Sequence, residues 1–170
     1  MFSVVGNVGC GKTTILKEFQ KLGDLVAAVC DPHAHCEERD FPTLVRNMMH
    51  FHREEEDQGL VVWENNPYFL SKVFNPKETI TPFDPLRYSM YKTLVQKVYW
   101  KPRLMFCVDL DSVSCARRCN RSLEEVCEVG IRYEYFLRHL CTGIVTVHLD
   151  GNLPAGENAK IILEYILRRM

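Results

Sequence analysis

The stretch Gly6-Asn7-Val8-Gly9-Cys10-Gly11-Lys12-Thr13 limits most strongly what this 170-residue chain can be. It is spelled G-x-x-x-x-G-K-[ST], the pattern in which backbone N–H groups wrap a phosphate chain. Glycines admit conformations closed to other residues and let the main chain approach a ligand. The lysine neutralises outer phosphates, the threonine hydroxyl serves Mg²⁺, and the helix that begins there turns its positive dipole end toward the anion. Phe2 to Val5 reads as the preceding strand, and Ile15, Leu16, Phe19 and Leu22 recur on one face of the following helix. Strand, loop and helix thus follow in the order the motif needs. The sequence predicts a phosphate cradle made by Gly6, Asn7, Val8, Gly9, Cys10, Gly11, Lys12, Thr13 and Thr14.

Beyond the loop, apolar runs alternate with helical patterns. Strands are predicted at Phe2–Val5, Asp24–Cys30, Leu60–Glu64, Leu104–Leu110 and Gly143–Leu149, apolar on both faces as a covered parallel sheet demands. Helices are predicted at Lys12–Leu22, Pro42–Glu55, Pro67–Phe74, Pro85–Trp100, Val113–Asn120, Glu124–Cys141 and Ala155–Arg169. This is the α/β signature, and its length suits one domain spanning 1–170. Right-handed crossovers would bring the strand carboxyl ends, and the ligand, to one edge. A net charge of −1 with 25% charged residues gives no pull toward nucleic acid or membrane. No apolar run has transmembrane length, and Met1 leads straight into the first strand, so a cytoplasmic protein without a signal peptide is expected. The eight cysteines are scattered without a disulfide-scaffold spacing, so reduced thiols are expected.

Two strand ends deliver carboxylates, Asp31 before Pro32 and Glu64. Phosphoryl transfer to a hydroxyl needs a phosphate loop, Mg²⁺, a carboxylate to accept a proton and cations over the γ-phosphate. Asp31 can be the base and Glu64, with Thr13, the metal-side group. Arg118 and Arg121 lie one helical turn apart, so both guanidinium groups can reach one anion. The bland alternatives are strand-end caps and a solvated charged helix end. Cys30-Asp31-Pro32-His33-Ala34-His35-Cys36 also contains zinc-type ligands, but at a spacing too tight for a usual structural site. His50 and His52, two apart on a helix, face different sides.

In their order along the chain these pieces resemble the deoxynucleoside kinases, P-loop kinases to which the herpesviral thymidine kinases are related. The family's GNIGSGKTT-like loop is matched by Gly6 to Thr14, and its Glu-Pro after the second strand by Asp31-Pro32. Glu64-Asn65-Asn66-Pro67-Tyr68 followed by Val73-Phe74 stands where the family has Glu-Arg-Ser, Tyr and Val-Phe. Its lid is matched by Leu110-Asp111, Cys115, Arg118, Arg121, Glu124-Glu125 and Ile131-Arg132-Tyr133-Glu134-Tyr135-Phe136. Val147-His148-Leu149-Asp150-Gly151-Asn152 looks like the last strand and the loop that holds adenine. The resemblance implies a five-stranded parallel sheet with helices on both faces, an arginine-bearing lid and often a homodimer. It further implies transfer of the ATP γ-phosphate, with Mg²⁺, to a deoxynucleoside. Lys12, Asp31, Arg118 and Arg121 would then be catalytic, Asn152 would bind ATP, and Asp31, Glu64, Tyr68 and Glu125 would hold the nucleoside.

The chain also departs from that pattern. Asn65 replaces the arginine after the third-strand Glu, Cys36 stands for a tryptophan, Leu70 for an acidic base contact and Leu123 for a third lid arginine. Phe41-Pro42-Thr43 offers no glutamine to pair with a nucleobase. A nucleoside monophosphate kinase would want an arginine after the third strand, which Glu64-Asn65-Asn66 lacks. A nucleotide-binding protein without transferase activity suits the departures but not the retained Lys12, Thr13, Asp31, Glu64, Arg118 and Arg121. A GTPase would need Asn-Lys-x-Asp, which Asn75-Pro76-Lys77-Glu78 does not supply.

Overall fold

The computed structural model describes residues 2–23, 27–29, 61–65, 69, 73, 102 and 104–169. Within them the chain runs β1 (Phe2–Gly6), α1 (Lys12–Gln20), β2 (Ala27–Val29), β3 (Val61–Glu64), β4 (Leu104–Asp109), α2 (Ser112–Cys119), α3 (Leu123–His139), β5 (Val145–Asp150) and α4 (Ala155–Leu167). These strands pair in the order β2-β3-β1-β4-β5, every pairing parallel. Phe2 lies opposite Val62 on one side and Leu104 on the other, so β1 runs through the middle of the sheet. The predicted helices at Pro42–Glu55 and Pro85–Trp100 and the Cys30–Cys36 cluster lie outside the described residues.

Alternation along the strands sends neighbouring side chains to opposite faces, and both faces are covered. Val4, Phe106, Val108 and Leu149 pack with Ile15, Leu16 and Phe19 of α1 and with Ile162 and Ile166 of α4. Their neighbours Val5, Met105 and Cys107 point the other way, against Tyr133 and Phe136 of α3 and against Phe69 and Val73. Phe69 meets Phe136 edge to face, ring centroids 5.2 Å apart. This is why the strands read as continuous apolar runs rather than as alternating ones.

Local chemistry sets the element ends, which differ from the sequence expectation by a residue or two. α1 stops at Gln20 because the N–H groups of Lys21 and Leu22 bond three residues back, to Glu18 and Phe19, tightening the last turn. α2 begins at Ser112 because the Asp111 carboxylate caps it, accepting from the Ser114 N–H at 2.9 Å, and it ends where Asn120 turns left-handed. α3 begins at Leu123 through a capping box between Ser122 and Glu125. Gly143, at φ 81°, belongs to the turn before β5 rather than to the strand. No helix among the described residues is long and apolar enough to cross a membrane.

Candidate functional site

Gly11, left-handed at φ 100°, ends the loop between β1 and α1 and stands at the N-cap of α1. Gly9 has φ 77°, and a Cβ there would run into the Cys115 carbonyl of α2, so the loop packs backbone against helix. Asn7 ties the loop to α3: its Nδ2 donates to the Val126 carbonyl at 3.1 Å while its Oδ1 accepts the Val8 N–H at 2.7 Å. Gly130 makes room for that amide, since a Cβ there would stand 3.1 Å from Asn7 Nδ2. Lys12, only 7% exposed, curls over the loop and donates from Nζ to the carbonyls of Asn7 (2.8 Å) and Gly6 (3.2 Å). Burial pushes the Cys10 thiol up, a shift Lys12 partly offsets. Cys10 therefore fills the loop as a neutral group rather than acting as a nucleophile.

On the neighbouring strand, the register of Val4 with Glu64 sets the Glu64 carboxylate beside the start of α1. The Thr13 hydroxyl donates to Glu64 Oε1 at 2.6 Å, and Glu64 is 2% exposed. A hydroxyl and a carboxylate oxygen this close suit a hard, oxygen-seeking cation. No cluster of three His, Cys, Asp or Glu that could hold a metal occurs among the described residues. Asn65 follows in a left-handed turn at φ 57°, its N–H bonded to the Val4 carbonyl at 2.8 Å. Its side-chain oxygen is buried without a hydrogen-bond partner among the described residues.

The opposite wall comes from α2 and the turn after β5. Arg118 Nη1 donates to the Gly151 carbonyl at 3.0 Å and passes over Gly11, whose absent Cβ would lie 3.8 Å away. Arg118 and Arg121 thus face Lys12, Thr13 and Glu64 across one cavity of about 920 Å³. This volume is typical of small-molecule sites. The exposed Thr14 shares the wall. Gly151, Leu153, Ala155 and Asn158 close its far end.

The other candidates sit elsewhere or lie outside view. Gly6 and Asn7 lie behind the loop and serve its shape, Gly6 lacking a Cβ that would meet Cys10 Sγ at 2.6 Å. Asn152 has its Nδ2 on Asp150 Oδ1 at 3.0 Å and is not on the cavity wall, and Glu125 serves the capping box of α3. Asp31 and Tyr68 lie outside the described residues. Asn158, not singled out from the sequence, is on the wall instead. Its Nδ2 donates to the Asp150 carbonyl at 2.8 Å and its Oδ1 is buried without a partner among the described residues.

The arrangement can bind a polyphosphate: backbone N–H groups and a helix start on one side, two guanidinium groups on the other, and an oxygen pair for a divalent cation at the end of β3. No family model and no curated protein matches the chain. Solved structures do. A deoxyadenosine kinase from M. mycoides with products dCMP and a flexible dCDP bound matches with a TM-score of 0.72 at 13% identity, covering 99% of each chain. The same enzyme with bound dATP matches with a TM-score of 0.64 at 14% identity, covering 97% of each chain. At such identities the likeness establishes architecture, and this chain shares the α/β fold of those structures.

Proposed function

We propose that this protein is a deoxynucleoside kinase that transfers the γ-phosphate of ATP to the 5′-hydroxyl of a deoxynucleoside. The observation that carries the reading is the Thr13–Glu64 hydrogen bond at the start of α1, with Arg118 and Arg121 on the facing wall of the same cavity. Fold likeness to deoxyadenosine kinase structures supports it. Phosphoryl transfer asks a protein mostly to position and neutralise, and these are the groups that do so. The loop N–H groups and Lys12 bind the outer phosphates, while Arg118 and Arg121 neutralise charge on the γ-phosphoryl oxygens. Thr13 and Glu64 would hold Mg²⁺, which when bound neutralises the β- and γ-phosphate oxygens. Asp31, two positions after β2 in sequence, accepts the proton of the attacking hydroxyl as the bond from the γ-phosphorus to its bridging oxygen breaks. Glu64, Tyr68 and Glu125 are the proposed nucleoside contacts, Asn152 the proposed adenine contact, and a lid carrying Arg118 and Arg121 closes over the phosphates.

A second reading, nucleotide binding without transfer, is favoured by Asn65, a buried neutral residue beside Glu64 where the resemblance expects an arginine. One experiment separates the two. Purified protein with labelled ATP and Mg²⁺ is offered the four natural deoxynucleosides and their monophosphates. Label in a deoxynucleoside, abolished by Asp31→Asn with ATP binding intact, is the expected result. Label in monophosphates alone selects a monophosphate kinase, and ATP binding with no labelled product selects the second reading.

A further inference from the structure

Arg118 is held from two sides, and both supports lead back to the end of β4. Its backbone belongs to α2, whose start is capped by Asp111, two residues beyond that strand. Its head meets the turn between β5 and α4, where Nη1 donates to the Gly151 carbonyl at 3.0 Å. The Gly151 N–H donates to the Asp109 carbonyl at 2.8 Å, carrying the β4–β5 ladder one step past the Asp109–Asp150 pair. A Cβ on Gly151 would stand 2.8 Å from that carbonyl oxygen and 2.9 Å from the Leu110 Cβ, so this close approach needs glycine. The rest of the turn is tied down as well. The Asp150 carbonyl accepts from Asn158 Nδ2 at 2.8 Å and from the Leu153 N–H at 3.1 Å, and Asp150 Oδ1 accepts the Asn152 N–H at 2.8 Å.

We propose, resting on the triphosphate reading above, that Gly151 is a positioning residue whose carbonyl aims the Arg118 guanidinium at the γ-phosphate. Gly11, the N-cap of α1, lies beneath that guanidinium, its absent Cβ 3.8 Å from Nη1. A guanidinium is a planar fork of five donors, so fixing one N–H fixes the directions of the others. The others have no protein partner among the described residues, and Arg118 lines the same cavity as Lys12 and Thr13. Because the anchor is a neutral carbonyl rather than a carboxylate, it orients the cation without cancelling the charge a phosphate meets. Side-chain freedom that Arg118 would lose on binding is thereby given up beforehand. No comparable bond holds the Arg121 side chain among the described residues, so the two arginines differ in preorganisation.

Calorimetric titration with ATP and with ADP, each with Mg²⁺, reads this role without turnover. Gly151→Ala is expected to lower ATP affinity about tenfold and ADP affinity less than about twofold, and Arg118→Ala to do the same. The double variant is expected to bind ATP no more weakly than Arg118→Ala alone, because Gly151 acts through that guanidinium. A merely structural role would instead weaken both nucleotides alike and add its loss to that of Arg118→Ala. Circular dichroism checks that Gly151→Ala folds. The exposed Asp150→Ala tests the same turn from its other tie: ATP affinity should fall several-fold with ADP affinity unchanged, and Asp150→Asn, which keeps the acceptor, should restore it. Equal losses for both nucleotides, no loss for either, or additive losses in the double variant overturn the proposal. Absence of labelled product with this ATP pattern intact removes the transfer reading alone, whereas a chain that binds neither nucleotide overturns both.

Discussion

Replacing Thr13 by Val tests the oxygen pair at the heart of the site. The two residues are nearly equal in volume and differ little in helix propensity, a few tenths of a kcal/mol. What changes is the donor to Glu64, a carboxylate 2% exposed and held at 2.6 Å. A hydrogen bond to an ionised group contributes about 1.5–3 kcal/mol. The hydrogen-bond loss therefore outweighs propensity by roughly a factor of five or more. For a chain of this size about 2 kcal/mol lowers the melting temperature by about 4–8 °C, readable by calorimetry. Thr13→Ser, which keeps the hydroxyl, should recover most of that loss. Thr13→Val is also expected to weaken ATP binding about tenfold in the presence of Mg²⁺ and to leave metal-free ATP binding nearly unchanged. A Thr13→Val protein melting within about 1 °C of wild type would mean that the hydroxyl does not hold the carboxylate.

Gly130→Ala is expected to raise helix stability by about 1 kcal/mol while weakening nucleotide affinity several-fold, because the new methyl stands 3.1 Å from the Asn7 amide that shapes the loop. A melt together with a fluorescent-nucleotide titration reads both, and unchanged affinity would sink this account. Phe136→Ala removes a fully buried ring that meets Phe69 edge to face and should cost about 3–5 kcal/mol in urea unfolding. The Ser114 hydroxyl and N–H hold the Asp111 carboxyl below its ordinary 3.8. The lowered folded-state value makes the cap's contribution complete above the unfolded-state value and removes it as pH falls through the folded-state value. The urea midpoints of wild type and Asp111→Ala should accordingly differ at pH 6 and converge below about pH 4. A gap that persists in acid would show that the carboxylate's charge is not involved.

The shape of the loop from Gly6 to Thr13 was legible in its residues because backbone constraint and chemistry coincide there: Gly9 and Gly11 are left-handed, and Lys12 and Thr13 bond the loop carbonyls and Glu64. The carboxylate at the end of β3 was readable because an apolar run stops in an acid. Arg118 is a harder case, since its reach over Gly11 depends on how α2 packs against Gly9, a contact no local pattern announces. Asn152 and Asn158 differ in where the fold places them. The first satisfies itself on Asp150, whereas the second occupies the inward stripe of α4 with Ile162 and Ile166. An amide at a position of α4 where hydrophobic spacing puts a core residue is the signal that marks Asn158. Helix ends lie one or two residues from the sequence expectation for a related reason, because the caps at Asp111 and Ser122 depend on side-chain angles rather than on hydrophobic spacing.

The central place of β1 carries a consequence for how the chain is made. Phe2 to Gly6 emerges well before one of its two neighbours, the strand Leu104 to Val108. At ordinary translation rates that partner appears about 5–20 s later, and until then β1 has an open edge. Nascent chains halted short of residue 104 should therefore be protease-sensitive and clump readily, while those extended past β4 should resist both.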